Sequence, residues 1–332
     1  MIMIFRGIKT LKTEWSVKMA RLIEETDYFT LHFLSDGVYG AIAKHGQGAW
    51  SNAGIVDLGD ECLVFDSFST PSAGADLRRV AETITGKKVK YLINSHYHGD
   101  HVFGNQAFID ATIISTSMTK DLFKEKNKIG NLAKETKETK DYLNQLKIQM
   151  EKSQSEVVKA SFVNQFNEMS KVLEDLPIMK LVFPTLLFED KLVIEGSKRR
   201  IELYCFGGGH TPSDTFMYLP EEKIAFMGDL VTENLHLPIV NPLEFKSILD
   251  KVRLMDIGTF VPGHGIVGKV DLLESVYDYI SYLMEKSNEA LQSNQSLETF
   301  LSEFQTPEPY SKWRGMNGIK DNLSKVYKFL DR

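Results

Sequence analysis

Directly after the apolar run Tyr91–Asn94 the chain reads His96-Tyr97-His98-Gly99-Asp100-His101, and this hexamer limits the possible folds more than any other stretch. In extended backbone, residues two apart project to the same side, so His96, His98 and Asp100 converge on one locus while His101 opens the next turn and aims elsewhere. Four metal-binding side chains in six residues call for a fold that ends a strand in a tight loop and brings further donors to it. Imidazole together with carboxylate suits zinc, iron or manganese, with zinc the default where no redox partner is visible. The competing explanation, a polar loop that is merely rich in histidine, is a poor one for a chain with only 8 histidines.

The same pattern of strand end followed by polar donor returns three times. His210 follows the strand signal at Ile201–Phe206 and the glycines at 207–209, Asp229 follows Ile224–Met227, and His264 follows Thr259–Val261. Donors at the ends of successive strands build a site along one sheet edge, and the glycines permit tight turns and close approach. The triple glycine lacks the Lys-Ser/Thr of a phosphate-binding loop, which removes that reading.

From Phe29 to Phe65 short apolar runs alternate with turn residues, a strand-rich, hairpin-type start. Pro71–Thr85 carries Leu77, Val80, Ala81 and Ile84 at helical spacing, and 89–94 reads as the next strand. Between Thr119 and Leu176 the only glycine is Gly130 and there is no proline. The stripes Leu143, Leu146, Met150 and Val158, Phe162, Phe166, Met169, Leu173 predict an antiparallel helical pair there. That pair packs its stripe on the body or against a second copy in a homodimer. Strand signals resume at 180–183, 191–194, 200–206, 215–219 and 223–227, and helices are predicted at 244–255, 270–290, 297–304 and 319–330. The alternation specifies an α/β layered fold. Residues 1–18 are expected to be a poorly ordered leader or a misplaced start. Residues 19–295 form one domain with the helical insertion at about 119–176, and 296–332 supply C-terminal helices packed on it.

At 42% hydrophobic residues there is ample apolar material for a large core, and a net charge of −6 gives no bulk reason to bind nucleic acid or an anionic membrane. Cys62 and Cys205, the only cysteines, lie in apolar runs and read as core thiols, so a disulfide scaffold is excluded. The first residues lack the apolar run of a secretory signal, and nothing approaches a membrane span, so a cytoplasmic protein is expected.

The series His96-x-His98-x-Asp100-His101, His210, Asp229, His264, in that order, is similar to the metallo-β-lactamase fold superfamily, in which two related αβ halves form a four-layered αββα sandwich. Gly-Gly-His-Thr-Pro-Ser-Asp-Thr at 208–215, Met-Gly-Asp-Leu at 227–230 and Val-Pro-Gly-His-Gly at 261–265 look like motifs of the same superfamily. The resemblance implies that His96, His98 and His210 hold one divalent metal, that Asp100, His101 and His264 hold another, and that Asp229 bridges the two. Asp66 matches an aspartate that stands behind the ligands. The resemblance further implies a dinuclear, zinc-type metallohydrolase acting on a small carbonyl substrate, an ester, lactone, thioester or β-lactam-like amide, by means of a metal-bridging hydroxide. Asp100 then orients or deprotonates the attacking water. The alternative is an oxidoreductase of the persulfide-dioxygenase type with a single iron. A dead hydrolase fold serving as a scaffold is disfavoured because every ligand position is filled.

Beyond the ligands, His236 and Asn234 are candidates to donate a hydrogen bond to an oxyanion or to hold a substrate carboxylate. His45, Trp50 and Asn52 fall in an early Gly-rich loop that either borders the site or stabilises a turn. Tyr97, pointing away by strand alternation, is assigned to packing.

Overall fold

In a computed structural model the chain is described at residues 21–316 and 318–332, so the expected leader at 1–18 lies outside the described residues. A first sheet runs in chain order through β1 (Arg21–Glu25), β2 (Phe29–Ser35), β3 (Val38–Ala43), β4 (Ala53–Asp57), β5 (Cys62–Phe65), β6 (Val89–Ile93), β7 (Thr112–Thr116) and β8 (Leu186–Phe188). It is antiparallel as far as β5 and parallel from β5 to β8. The second sheet has β9 (Lys191–Glu195), β10 (Arg200–Cys205), β11 (Thr215–Leu219), β12 (Ile224–Phe226) and β13 (Thr259–Val261), with only the β12–β13 pair parallel. The helices are α1 (Pro71–Thr85), α2 (Gly99–Val102), α3 (Ser117–Lys126), α4 (Leu132–Lys152), α5 (Glu156–Asp175), α6 (Pro242–Arg253), α7 (Val270–Gln292), α8 (Leu297–Glu303) and α9 (Gly318–Leu330).

The side-chain alternation of the strands explains the layers. On β5, Leu63 and Phe65 enter one core with Met217, Leu219 and Phe226 of the facing sheet, while Cys62 and Val64 enter another with Leu77 and Val80 of α1. On β11, Phe216 and Tyr218 turn instead toward Ile248 of α6, Val276 of α7 and Leu323 of α9. Strands buried on both faces read as unbroken apolar runs, which is why the central strands lack a polar period. The result is an αββα sandwich. Thr70 caps α1 by accepting from Ala73 N, Pro71 fills its first position, and Gly86, at φ 68°, closes it.

Two local expectations need correction. The apolar run at 180–183 forms no strand. Its Lys180 N–H is taken by Gln106 and its Val182 carbonyl by Asn105 Nδ2, so side chains satisfy it and the ladder resumes only after Pro184, at β8. Helical structure in the insertion also begins earlier, with α3 running straight from β7. The antiparallel pair is α4 and α5, packed around Leu143, Leu146 and Phe162. Among the described residues no helix is long and apolar enough to cross a membrane.

Candidate metal centre

Each turn that carries a candidate ligand is built by its neighbours. Asp66, just past β5 and in the left-handed region at φ 59°, accepts from Ser95 N and Ser95 Oγ, each at 2.8 Å, and so sets the start of the His96 loop. After β10, the buried Asp214 carboxylate accepts from the backbone N–H groups of Gly209, His210 and Thr211 at 2.9–3.1 Å, folding the loop that presents His210. After β13, Gly263 passes so close to the Asp229 loop that a Cβ there would meet Asp229 Oδ1 at 2.1 Å. Only glycine allows the His264 turn to sit against Asp229.

The seven candidates converge as two donor groups, His96, His98, His210 with Asp229, and Asp100, His101 with His264. The two oxygens of Asp229 divide between them. Oδ2 lies 3.7 Å from His96 Nε2 and 3.3 Å from His210 Nε2, while Oδ1 lies 3.4 Å from both His101 Nε2 and His264 Nε2. His98 Nδ1 is 3.0 Å from both His96 Nε2 and His210 Nε2, and Asp100 Oδ2 is 3.5 Å from His101 Nε2 and 3.3 Å from His264 Nε2.

These spacings fit metal ions. A tetrahedral ion with bonds of about 2.0–2.1 Å holds its ligand atoms about 3.4 Å apart. Asp229 Oδ1 and His101 Nε2 are fully buried without a hydrogen-bond partner, which a buried polar atom rarely tolerates.

The outer ring nitrogens assign the tautomers. Nδ1–H donates to Ser95 Oγ from His96 (3.0 Å), to Asp66 Oδ2 from His101 (2.8 Å), to the Pro238 carbonyl from His210 (2.8 Å) and to the Trp50 carbonyl from His264 (3.1 Å). In all four the Nε2 lone pair is thereby left for the centre. Burial, reinforced by the neighbouring imidazoles, holds His96 well below its usual range and brings His98 down to about 4. Burial opposes ionisation of Asp229, but His264 and His101 outweigh it and hold the carboxyl well below the usual range. Against the same burial, His101 and His264 bring Asp100 to about 2. Burial likewise opposes protonation of His264, yet Asp229 and Asp100 raise it to about 9, so protons and metal compete for this second group.

A cleft of about 950 Å³ opens over the donors, walled by Trp50, Asn234, Pro238, Arg314 and, from α5, Ser161 and Asn164. The insertion therefore forms one wall. His236 reaches the cleft edge, but both ring nitrogens are engaged, Nδ1 with Tyr279 Oη at 2.8 Å and Nε2 with the Tyr310 carbonyl at 3.1 Å, and burial takes it down to about 4. Asn234, at φ 47°, accepts from Arg314 N through its carbonyl. Asn52 serves the turn, donating to the Pro262 and Gly265 carbonyls at 2.8 Å.

Glu168 of α5, which sequence reasoning missed, is buried and accepts from Gly46 N at 2.7 Å and Gly48 N at 2.8 Å. That loop continues to Trp50, whose carbonyl holds His264, and to Ser51, whose Oγ donates to the Asp100 carbonyl at 2.6 Å. Burial outweighs the two backbone donors and raises Glu168 from 4.5 to about 7. A carboxyl raised on folding contributes stability that is full below about pH 4.5 and is lost as pH rises through about 7. Chemical denaturation across pH 4.5–8 should therefore show the difference in stability between Glu168→Gln and the parent moving in the variant's favour as pH rises. A pH-independent difference would remove Glu168 as the titrating group.

A model of the metallo-beta-lactamase superfamily matches residues 51–264. The metallo-beta-lactamase type 2 of Bacteroides fragilis is 23% identical over 287 residues, covering 82% of this chain and 94% of that one. Among solved structures, the inverting sec-alkylsulfatase Pisa1 from Pseudomonas sp. superposes with a TM-score of 0.66 at 15% identity, and a double mutant of it with a TM-score of 0.63 at 15% identity. Each match covers 90% of this chain, which spans about half the length of those sulfatase chains.

Proposed function

The chain belongs to the metallo-beta-lactamase superfamily, and from that premise we propose that it is a dinuclear, zinc-type hydrolase of small carbonyl substrates. One observation carries the dinuclear reading: the two oxygens of Asp229 face two separate donor groups at 3.3–3.7 Å and 3.4 Å. When bound, such a metal pair supplies a water acidic enough to attack at neutral pH and a positive field for the developing oxyanion.

The chain's own residues do the rest. Ser95, Asp66, Pro238 and Trp50 orient the rings of His96, His101, His210 and His264 toward the centre. The Asp100 side chain is 19% exposed and lines the cleft, whereas that of Asp229 is 2% exposed. In this reading Asp100, the more exposed of the two carboxylates, takes a proton from the attacking water. Trp50 and α5 limit solvent on two sides of the substrate. The test is a panel of ester, lactone, thioester, β-lactam, alkyl sulfate and phosphodiester substrates presented to the zinc-loaded chain. Turnover of a carbonyl substrate that chelator abolishes and zinc restores is expected. Turnover confined to the sulfate or phosphodiester, or none at all, would overturn the carbonyl assignment.

A further inference from the structure

Among the described residues three Lys or Arg side chains reach the cleft above the donors, Lys44, Lys312 and Arg314. Two pair with carboxylates, Lys44 with Glu25 at 2.7 Å and Lys312 with Glu308 at 3.4 Å. Arg314 makes no ion pair with a carboxylate among the described residues. Its guanidinium donates to the Glu233 carbonyl at 3.2 Å and lies 3.2 Å from His45 Nε2. The acids nearby are engaged elsewhere: the Glu233 carboxylate accepts from Ile266 N at 2.9 Å, and Asp321 pairs with Lys325 at 2.8 Å.

The Arg314 backbone is pinned on two sides. Its N–H donates to the Asn234 carbonyl and its carbonyl accepts from His236 N, each at 2.8 Å, while Gly315 N donates to Ser161 Oγ of α5 at 3.0 Å. The backbone of Arg314 is thereby anchored between the loop after Asp229 and the wall made by the insertion, and the guanidinium is held by the Glu233 carbonyl and His45. Burial pushes Arg314 below the usual guanidinium range and Glu233 offsets only part of this, which marks a cation short of counter-charge. A guanidinium remains charged at any ordinary pH, and its planar fork matches the two oxygens of an oxyanion.

We propose that Arg314 forms an oxyanion subsite in this cleft, so that the enzyme selects substrates carrying a carboxylate or sulfate-type group away from the bond that breaks. Selection among substrates rests on the hydrolase reading, but the subsite itself does not.

Calorimetric titration of the metal-free and zinc-loaded full chain with 4-nitrobenzoate, 4-nitrobenzenesulfonate and neutral 4-nitrobenzamide tests this. In the metal-free chain, where no metal can capture the anions, both anions should bind at least about tenfold more tightly than the amide. Added salt should weaken that advantage. Arg314→Ala and Arg314→Gln should abolish it, and Arg314→Lys should keep part of it. The tighter of the two anions identifies the group as carboxylate or sulfate. Equal binding of anions and amide, or full anion affinity in a folded Arg314→Gln chain, would overturn the subsite. In the kinetic arm, the zinc-loaded chain should show a KM about tenfold lower for the 4-nitrophenyl hemiester of glutaric acid than for 4-nitrophenyl pentanoate. Arg314-dependent anion binding without turnover of any substrate would retire the hydrolase reading and keep the subsite. Turnover with equal KM for both esters would do the reverse.

Discussion

Replacing Asp229 with alanine is expected to lower metal occupancy to one ion or fewer per chain and to reduce kcat/KM by at least about a thousandfold, on the order of 4 kcal/mol of lost transition-state stabilisation. The size of the effect comes from the division of its two oxygens between the donor groups, since a single truncation removes one ligand atom from each. It also strips the principal counter-charge from His101 and His264, whose protonation Asp229 supports, and leaves the two buried imidazoles with Asp100 between them and Asp66 behind His101. Metal analysis and kinetics on the same preparation, with circular dichroism to show that the sandwich survives, give the answer. A fully metallated and fully active Asp229→Ala chain would sink the assignment of Asp229.

Asp100→Asn should give a different outcome, with turnover reduced at least about a hundredfold while thermal stability barely moves. Asparagine keeps the shape but can neither take a proton nor match a carboxylate as a ligand. The fold is spared because Ser51 holds Asp100 through its backbone carbonyl, which the substitution retains. Among the described residues the side chain's ion pairs are with His101 and His264, at 3.5 and 3.3 Å. Measuring kcat at saturating zinc separates the two roles of the carboxylate. A loss repaired by excess metal assigns Asp100 to binding alone, and a loss that persists assigns it to proton transfer.

The donor set could be read from the chain because each ligand stands just past a strand, where local backbone geometry decides its direction. His96 and His98 do share one donor group, and Asp66, His210, Asp229 and His264 needed only the end of an apolar run. Strand alternation misplaced the other two: Asp100 and His101 sit on α2, so Asp100 leaves the His96 and His98 group and His101, expected to aim elsewhere, turns inward with it toward His264. Glu168 and Arg314 carry no such signal. Glu168 meets Gly46 across 122 residues, and Arg314 meets His45 across 269, so nothing near either residue in sequence indicates its partner. His236 shows the opposite failure. Its loop position advertised a free imidazole, but Tyr279 on α7 and the Tyr310 carbonyl occupy both nitrogens. The run at 180–183 looked like a strand because apolar content alone cannot tell a ladder from a segment whose polar groups are met by side chains such as Asn105.

That Asp229 joins two donor groups into a two-metal centre is the central claim. Chelator-stripped chain titrated with zinc in a calorimeter, with elemental analysis of the saturated product, tests it most directly. About two equivalents should bind, and one fewer in Asp229→Ala. Saturation at a single equivalent of zinc, or protein purified with one tightly held iron and no capacity for a second ion, would contradict it.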